Sequence, residues 1–208
     1  MVITYPIKSG LYVNLTNRCP CACTFCLRQN ASGVGGSGSL WLEREPTLAE
    51  ATASLDSWDL ATFDELVFCG YGEPTERLDD LLALAAHAKA RRPELRVRVN
   101  TNGLSDLIHG EPTAHRLKGL VDAVSISLNT PDPEVYLRMC RPRFGIGSWQ
   151  AMLDYARSCK DYVPDVVMTV VGPPVTNAEA LARCEAIVRE LGVRLRVRPY
   201  EAKADSPR

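Results

Sequence analysis

The chain has 208 residues, of which 46% are hydrophobic and 24% are charged, and its formal net charge is −1. This composition is typical of a globular protein with a hydrophobic core, and it argues against a disordered chain or a basic nucleic-acid-binding domain. No apolar run is long enough to span a bilayer, and the first ten residues lack the apolar stretch of a secretory signal. We therefore expect a cytoplasmic protein with a single domain over residues 1–208, in which residues 202–208 form a disordered tail.

Six short runs rich in Val, Ile and Leu alternate with helical patterns along the chain. The predicted strands are Leu11–Thr16, Leu66–Gly70, Arg96–Asn100, Ala123–Leu128, Val166–Val171 and Leu195–Pro199. Apolar runs of this length are typical of strands that are buried on both faces of a parallel sheet. Six such units predict an α/β protein, either an open partial barrel or a doubly wound sheet. Both architectures place the functional site at the carboxyl ends of the strands.

Capping signals mark three of the predicted helices. Thr47 with Glu50 matches a capping box, and the stretch from Thr176 to Glu179 matches a second one, so a Thr side chain is expected to cap each helix. Ser148 is the expected N-cap of a third helix, and Gly192 is expected to end the helix after Thr176.

A run of four arginines leads into the third predicted strand. Its members are Arg91, Arg92, Arg96 and Arg98. Because a charge run usually lies on a solvated surface, we interpret these side chains as the exposed end of a helix and the entry to a strand.

The cysteine content points to a metal or cluster site. Eight cysteines are present, and four of them lie within residues 19–26, although stable disulfides are rare in the cytoplasm. Cys19, Cys23 and Cys26 are spaced C-x3-C-x2-C directly after the first predicted strand. Thiolates suit iron–sulfur clusters, and three of them would leave one iron of a cube open to bind a substrate or cofactor.

An alternative is a zinc site that uses Cys21 in addition to these three cysteines. Structural zinc normally takes its ligands as two pairs from separate loops, which this chain does not offer. Cys21 is therefore interpreted as a bystander, with the role of a substitute ligand left open. Cys159 and Cys184 lie on apolar helix faces and are expected in the core, while Cys140 stays unassigned.

Glycine and polar residues follow the next strands. Gly70 and Gly72, with Glu73 after them, come after the second predicted strand, where glycine permits close backbone approach to a ligand. Asn102 follows the third strand and could also be a turn residue in the left-handed conformation. Ser127 and Asn129 end the fourth strand and share one face by alternation. Arg198, near the end of the sixth, could pair with a carboxylate.

These motifs together resemble those of the radical S-adenosylmethionine (SAM) superfamily. Cys19, Cys23, Phe25 and Cys26 match its C-x3-C-x-Φ-C signature, in which Φ is aromatic, and the stretch from Gly70 to Pro74 is similar to its GGEP element. The resemblance implies a partial (β/α)6 TIM-like barrel of parallel strands. It also implies a [4Fe–4S] cluster on the three cysteines that cleaves SAM to a 5′-deoxyadenosyl radical, which abstracts hydrogen from an unidentified substrate.

The resemblance further implies which residues contact SAM. These are Phe25, Gly70, Gly72, Glu73, Asn102, Ser127, Asn129 and Arg198. An external one-electron reductant of the flavodoxin or ferredoxin type is implied as a partner. No membrane partner is expected, and no nucleic acid.

More narrowly, the phrases TNRCPCACTFCLRQN, FCGYGEPTERLD and NTNGL resemble those of the TatD-associated radical SAM family. That family accompanies a TatD-type hydrolase, which implies a functional link without naming a reaction. Two other functions stay open. One is an activase that forms a glycyl radical on a partner protein, and the other is a non-catalytic iron–sulfur or zinc protein that senses redox state.

Overall fold

A computed structural model describes residues 1–29 and 32–200, so the predicted tail at 202–208 lies outside the described residues. These residues form one seven-stranded sheet whose strand order follows the chain from β1 to β7. The strands are β1 (Thr4–Ile7), β2 (Gly10–Val13), β3 (Glu65–Phe68), β4 (Arg96–Thr101), β5 (Ala123–Ser127), β6 (Asp165–Val171) and β7 (Arg194–Arg198).

The strand order decides between the two predicted architectures. Strands β2 to β7 are parallel, and each pairs with the next one along the chain. A doubly wound sheet would reverse its strand order at a switch point, and this sheet does not. The fold is therefore a partial TIM-like barrel of six parallel strands, as the resemblance implied.

Strand β1 was not predicted from the sequence. It pairs antiparallel with β2, with Tyr5 opposite Tyr12, and forms one edge of the sheet. The run is short and contains Pro6, which cannot donate a ladder hydrogen bond and is tolerated on an edge strand. The six predicted strands all exist; the starts of β4 and β5 and the end of β6 match the prediction, and the other boundaries shift by one to three residues.

Six α-helices connect the strands. They are α1 (Leu48–Asp56), α2 (Leu78–Arg91), α3 (Ser105–His109), α4 (Pro133–Cys140), α5 (Ser148–Cys159) and α6 (Ala178–Leu191) in the described residues. The sheet and helices share one core, in which Leu66, Val97 and Ile126 are buried with the helix residues Leu81 and Met152. No helix among the described residues has the length and apolarity required to cross a membrane.

The predicted caps are partly correct. Thr47 and Glu50 form the capping box of α1, and Gly192 ends α6 in the left-handed conformation with φ 67°. The prediction for Ser148 is wrong, because Gly147 is the N-cap and Ser148 is already helical and buried. The prediction for Thr176 is also wrong, because the side chain of the next residue, Asn177, caps α6.

The arginine run is only partly a surface feature. Arg91 and Arg96 pair with Asp56 and Asp165 on the outside of the sheet, as expected of a charge run. The prediction is wrong for Arg98, whose side chain is 12% exposed and lies inside the barrel. On a half-barrel strand, alternate residues point inwards, and an inward cation requires a partner.

Candidate functional site

A cavity of about 560 Å³ opens inside the barrel towards the carboxyl ends of the strands. Every residue predicted for the site lines it. These residues are Cys19, Cys23, Phe25, Cys26, Gly70, Gly72, Glu73, Asn102, Ser127, Asn129 and Arg198. The fold therefore gathers side chains from five separate loops and strands, as expected for parallel strands that end at one edge.

The cysteine loop after β2 is held by backbone hydrogen bonds from a distant part of the chain. The N–H of Ala22 donates to the carbonyl of Cys140 at 3.0 Å, and the N–H of Arg143 donates to Pro20 at 2.8 Å. Cys21 also forms an isolated antiparallel bridge with Pro142. The segment that follows α4 is thus a support for the cysteine loop.

Four neighbouring thiols in this loop and at the end of α4 shift one another's pKa values. The Cys21 thiol lies between Cys19 and Cys23, and its hydrogen bond lowers the pKa of Cys19. A hydrogen bond from Cys140 lowers the pKa of Cys23 to about 4, with a further contribution from Cys21. Hydrogen bonding to these partners, together with burial, raises the pKa values of Cys21 and Cys140. These interactions favour the thiolate form of Cys19 and Cys23, whereas burial raises the pKa of Cys26 and Cys21 stays a buried thiol.

The two glycines after β3 are required by close packing inside the protein. A Cβ atom on Gly70 would lie 2.0 Å from Oδ1 of Asn14, and one on Gly72 would lie 2.3 Å from the carbonyl oxygen of Thr16 and 2.6 Å from that of Arg18. The sequence indicated close approach to a ligand, but the closest atoms belong to the segment that leads into the cysteine loop. The glycines thus let two loops of the site lie against each other.

Glu73 connects the loops after β3 and β4. Its carboxylate accepts hydrogen bonds from the hydroxyl groups of Thr75 at 2.8 Å and Thr101 at 2.7 Å, and from the N–H of Asn102 at 2.7 Å. Burial raises the pKa of Glu73, and these hydrogen bonds oppose the shift. The Nδ2 atom of Asn102 in turn lies 3.9 Å from the Cys19 sulfur.

Asn129 lines the cavity and has a buried acceptor without a partner in the described part of the chain. Its Nδ2 donates to the Cys140 sulfur at 3.3 Å, while its buried Oδ1 has no hydrogen-bond partner among the described residues. Asn129 adopts the left-handed conformation, with φ 63°. The alternative that Asn102 is the left-handed turn residue is wrong, since its Oδ1 accepts from the N–H of Leu104 in an ordinary turn. Ser127, at the end of β5, lines the cavity beside Asn129.

The sequence interpretation missed several cavity residues. Arg28 donates to the carbonyls of Asn17, Tyr71 and Cys21 and thereby ties the cysteine loop to the loop after β3. Arg98 pairs with Glu65 inside the barrel. A usable signal was the alternation along Arg96–Asn100, which sends every second side chain of a central strand inwards. The link between Cys140 and the cysteine loop spans 117 residues, and no local pattern reports it.

The residues present fit an iron–sulfur cluster with a bound cofactor. Three free thiols on one loop line a single cavity, and Asn129, which also lines it, has a buried Oδ1 without a hydrogen-bond partner among the described residues. Among residues 1–29 and 32–200, no three His, Cys, Asp or Glu side chains are grouped as around a single metal ion. The fit therefore depends on the chemistry of the thiol donors and on the shared cavity.

Sequence comparison identifies the family. A sequence model of the Radical SAM superfamily matches residues 13–185. The chain is 30% identical to the GTP 3′,8-cyclase of Corynebacterium glutamicum (strain R) over 201 residues, which is 91% of this chain and 48% of the relative. It is also 30% identical to the enzyme of that name from Streptomyces coelicolor over 139 residues, 65% of this chain and 37% of the relative. The chain thus spans about half or less of the length of these curated relatives.

Solved structures agree on the fold. A radical SAM methyltransferase from Sphaerobacter thermophilus superposes with a TM-score of 0.57 at 18% identity, over 94% of this chain and 68% of the other. The anSMEcpe protein with bound AdoMet superposes with a TM-score of 0.63 at 17% identity, over 94% and 52%. Superfamily members are enzymes that use a [4Fe–4S] cluster, SAM and an external electron donor. With its cysteine loop, its partial barrel and the matched family model, the chain belongs to the radical SAM superfamily.

Proposed function

We propose that this protein cleaves SAM reductively and uses the product radical to abstract hydrogen from a substrate. The observation that carries the proposal is the common cavity, where a C-x3-C-x2-C loop meets the glycine motif after β3 and the polar ends of β4 and β5. When bound, a reduced [4Fe–4S] cluster supplies the electron that converts SAM to methionine and a 5′-deoxyadenosyl radical.

Three thiolates would hold the cluster. We assign them to Cys19, Cys23 and Cys26, because all three line the cavity and are spaced C-x3-C-x2-C on one loop. Cys21 is assigned a hydrogen-bonding role, since its buried thiol interacts with the sulfur atoms of Cys19 and Cys23, one on either side. A four-thiolate site that includes Cys21 would leave no open position for SAM.

The SAM site is assigned to residues on the other walls of the cavity. Asn129 Oδ1 is a buried acceptor suited to a hydroxyl or ammonium donor of the cofactor. Glu73 fixes the loops around the cofactor, because its carboxylate oxygens already accept hydrogen bonds from the protein. The remaining assigned contacts are Phe25, Gly70, Gly72, Asn102 and Ser127, all of which line the cavity. Arg198 lines it too, but we assign its guanidinium group to the substrate rather than to SAM.

A finer placement is also proposed. We assign the chain to the TatD-associated radical SAM family on the quoted phrases, with residues 1–208 as a single radical SAM core domain. We also propose a flavodoxin- or ferredoxin-type reductant, and a functional link to a TatD-type hydrolase. A reducing cytoplasm suits a protein whose eight cysteines are all free.

Product analysis tests the proposal. The purified chain is reconstituted anaerobically with iron and sulfide, reduced with dithionite and supplied with SAM, and 5′-deoxyadenosine is quantified by chromatography. We expect 5′-deoxyadenosine from the parent protein and none above background from Cys26→Ala, because a cluster that lacks one ligand is lost or displaced.

A matched control uses a core cysteine. Cys184 is fully buried on α6, away from the cavity, so Cys184→Ala should form 5′-deoxyadenosine as the parent does. If the parent protein forms no 5′-deoxyadenosine under these conditions, or if Cys26→Ala equals the parent, the proposal is wrong. Stoichiometric zinc with negligible iron would support the zinc alternative instead.

A further inference from the structure

The cavity carries more positive charge than its own carboxylates neutralise. Its charged lining residues in the described part of the chain are Arg28, Glu73, Arg98, Arg196 and Arg198. The single carboxylate in this set, Glu73, is occupied by hydrogen bonds from threonine hydroxyl and backbone N–H groups. Glu65, just behind the lining, is the ion-pair partner of Arg98.

Two of the arginines have structural partners that account for them. Arg98 forms a two-pronged contact with the carboxylate of Glu65, at 2.5 and 3.0 Å, and also donates to Asn100. The guanidinium group of Arg28 contacts three backbone carbonyl oxygens and lies over the ring of Trp41. Neither guanidinium needs a ligand.

The other two lack such partners. Arg196 makes one side-chain hydrogen bond, to the hydroxyl of Ser125 at 3.0 Å, and no carboxylate in the described residues pairs with it. The Nε atom of Arg198 is buried and without a hydrogen-bond partner among residues 1–29 and 32–200. The pKa of Arg196 is lowered by burial and by the charges of Arg98 and Arg198. The buried Nε of Arg198 carries a desolvation cost that a bound anion would offset, whereas Arg196 is an exposed residue of β7 whose guanidinium group is open to a ligand.

Their position on β7 places both guanidinium groups together. Arg196 and Arg198 are two residues apart, so both side chains project from the same face of the strand. In the ladder with β6 they lie opposite Thr169 and Val171, which also line the cavity. The guanidinium fork suits the paired oxygens of a carboxylate or phosphate.

We propose that Arg196 and Arg198 bind an oxyanion, a carboxylate or phosphate group, of the substrate on the β7 side of the cavity. The assignment of this oxyanion to a substrate rests on the function proposed above. Such a contact would hold a small acidic molecule with its other end towards the cysteine loop. SAM itself carries a carboxylate, which would compete for the same two arginines. The proposal therefore requires that Arg196 and Arg198 stay available to a second anion when SAM is bound.

Titration with two simple anions tests the proposal. Inorganic phosphate and acetate, each up to about 20 mM to reveal a millimolar Kd, are titrated by calorimetry into cluster-loaded protein saturated with SAM, at constant ionic strength. We expect at least one anion to bind. The anion with the lower Kd indicates whether the substrate group is a phosphate or a carboxylate. We expect Arg196→Gln and Arg198→Gln each to raise Kd by about tenfold, the usual effect of losing one charge-assisted hydrogen bond.

Arg194→Gln is the matched control. Arg194 projects from the same face of the same strand, but it is 70% exposed, pairs with Asp165 and does not line the cavity. Its substitution should leave Kd within about twofold of the parent value. A thermal melt of each variant checks folding, and Arg196→Lys, which keeps the charge, should retain part of the affinity.

Several outcomes would overturn the oxyanion site. These are no binding of either anion, equal affinity in the parent and both glutamine variants, and complete displacement of the anion by SAM. The same titration on cluster-free protein separates this proposal from the previous one. Anion binding that depends on Arg196 and Arg198 would sustain the site even if no 5′-deoxyadenosine formed, whereas product formation without anion binding would refute the site alone.

Discussion

Substitution of Gly72 by alanine should disturb the cysteine loop from a position outside it. The new Cβ atom would lie 2.3 Å from the carbonyl oxygen of Thr16 and 2.6 Å from that of Arg18, directly before Cys19. Ordinary carbon–oxygen contacts are no closer than about 3.3 Å, so the two backbones must separate by about 1 Å. Both obstructing atoms belong to the backbone, so no side-chain rotation can relieve the contact.

The expected cost follows from the behaviour of overpacked sites. Such strain typically destabilises a protein by about 1–3 kcal/mol, and at this chain length each kcal/mol lowers Tm by about 2–4 °C. We therefore expect Gly72→Ala to lower the Tm of the cluster-free protein by about 2–12 °C, measured by circular dichroism. The amount of iron retained after anaerobic reconstitution should also fall, because Cys19 moves with Arg18.

Gly147→Ala serves as the control for this substitution. Gly147 has a φ of −64°, and a Cβ atom there would meet no other atom within 4 Å. Its substitution should change stability by no more than about 1 kcal/mol and leave iron content unchanged. Equal Tm and equal iron content in Gly72→Ala and Gly147→Ala would refute the steric reasoning.

Three further predictions concern the caps and the site. Thr47→Ala removes the side chain that caps α1 and should cost about 1 kcal/mol, or about 2–4 °C in Tm by thermal melting; an unchanged Tm would contradict the role of the capping box. Cys21→Ala should retain parent-like iron after reconstitution while Cys19→Ala loses it, and equal loss in both would make Cys21 a ligand. Glu73→Gln places an amide N–H group against the donors that surround the carboxylate, including the N–H of Asn102. We expect the free energy of unfolding, measured in urea, to fall by about 1–3 kcal/mol. A parent-like urea curve would show that these hydrogen bonds contribute little.

The sequence predicted the architecture because the signals that encode it are local. Runs such as Ala123–Leu128 are apolar throughout, as is required of a strand covered on both faces, and the motif residues follow the strands directly. The edge strand β1 was missed because Thr4–Ile7 is short and contains a proline. Thr176 and Asn177 are both good caps, and local pattern cannot choose between neighbouring cap residues. A tertiary contact decides between them, because the hydroxyl of Thr176 donates to the carbonyl of Asn129 and is not used as a cap.

The support of the site depends on contacts that only the folded chain creates. Cys140 contacts the cysteine loop across more than a hundred residues, since its carbonyl oxygen accepts from the N–H of Ala22 and from the Cys23 thiol, and no local sequence pattern predicts this contact. Arg98 was predicted to lie on the surface as part of a charge run. The alternation of side chains along β4 instead places it inside the barrel, where it pairs with Glu65. The glycine motif lies at the predicted site, but for a different physical reason. The glycines make room for Asn14 and Thr16 of the protein, whereas the prediction was close approach to a ligand.

Electron paramagnetic resonance of the reduced protein, before and after addition of SAM, tests the central claim most directly. A cluster held by Cys19, Cys23 and Cys26 would leave one iron open, and SAM bound there would change the ligand environment of that iron. We predict the signal of a reduced [4Fe–4S] cluster whose g values shift when SAM is added, in the parent protein and in Cys184→Ala alike. A cluster signal that SAM leaves unchanged, or the absence of any cluster signal from fully reconstituted protein, would contradict the account.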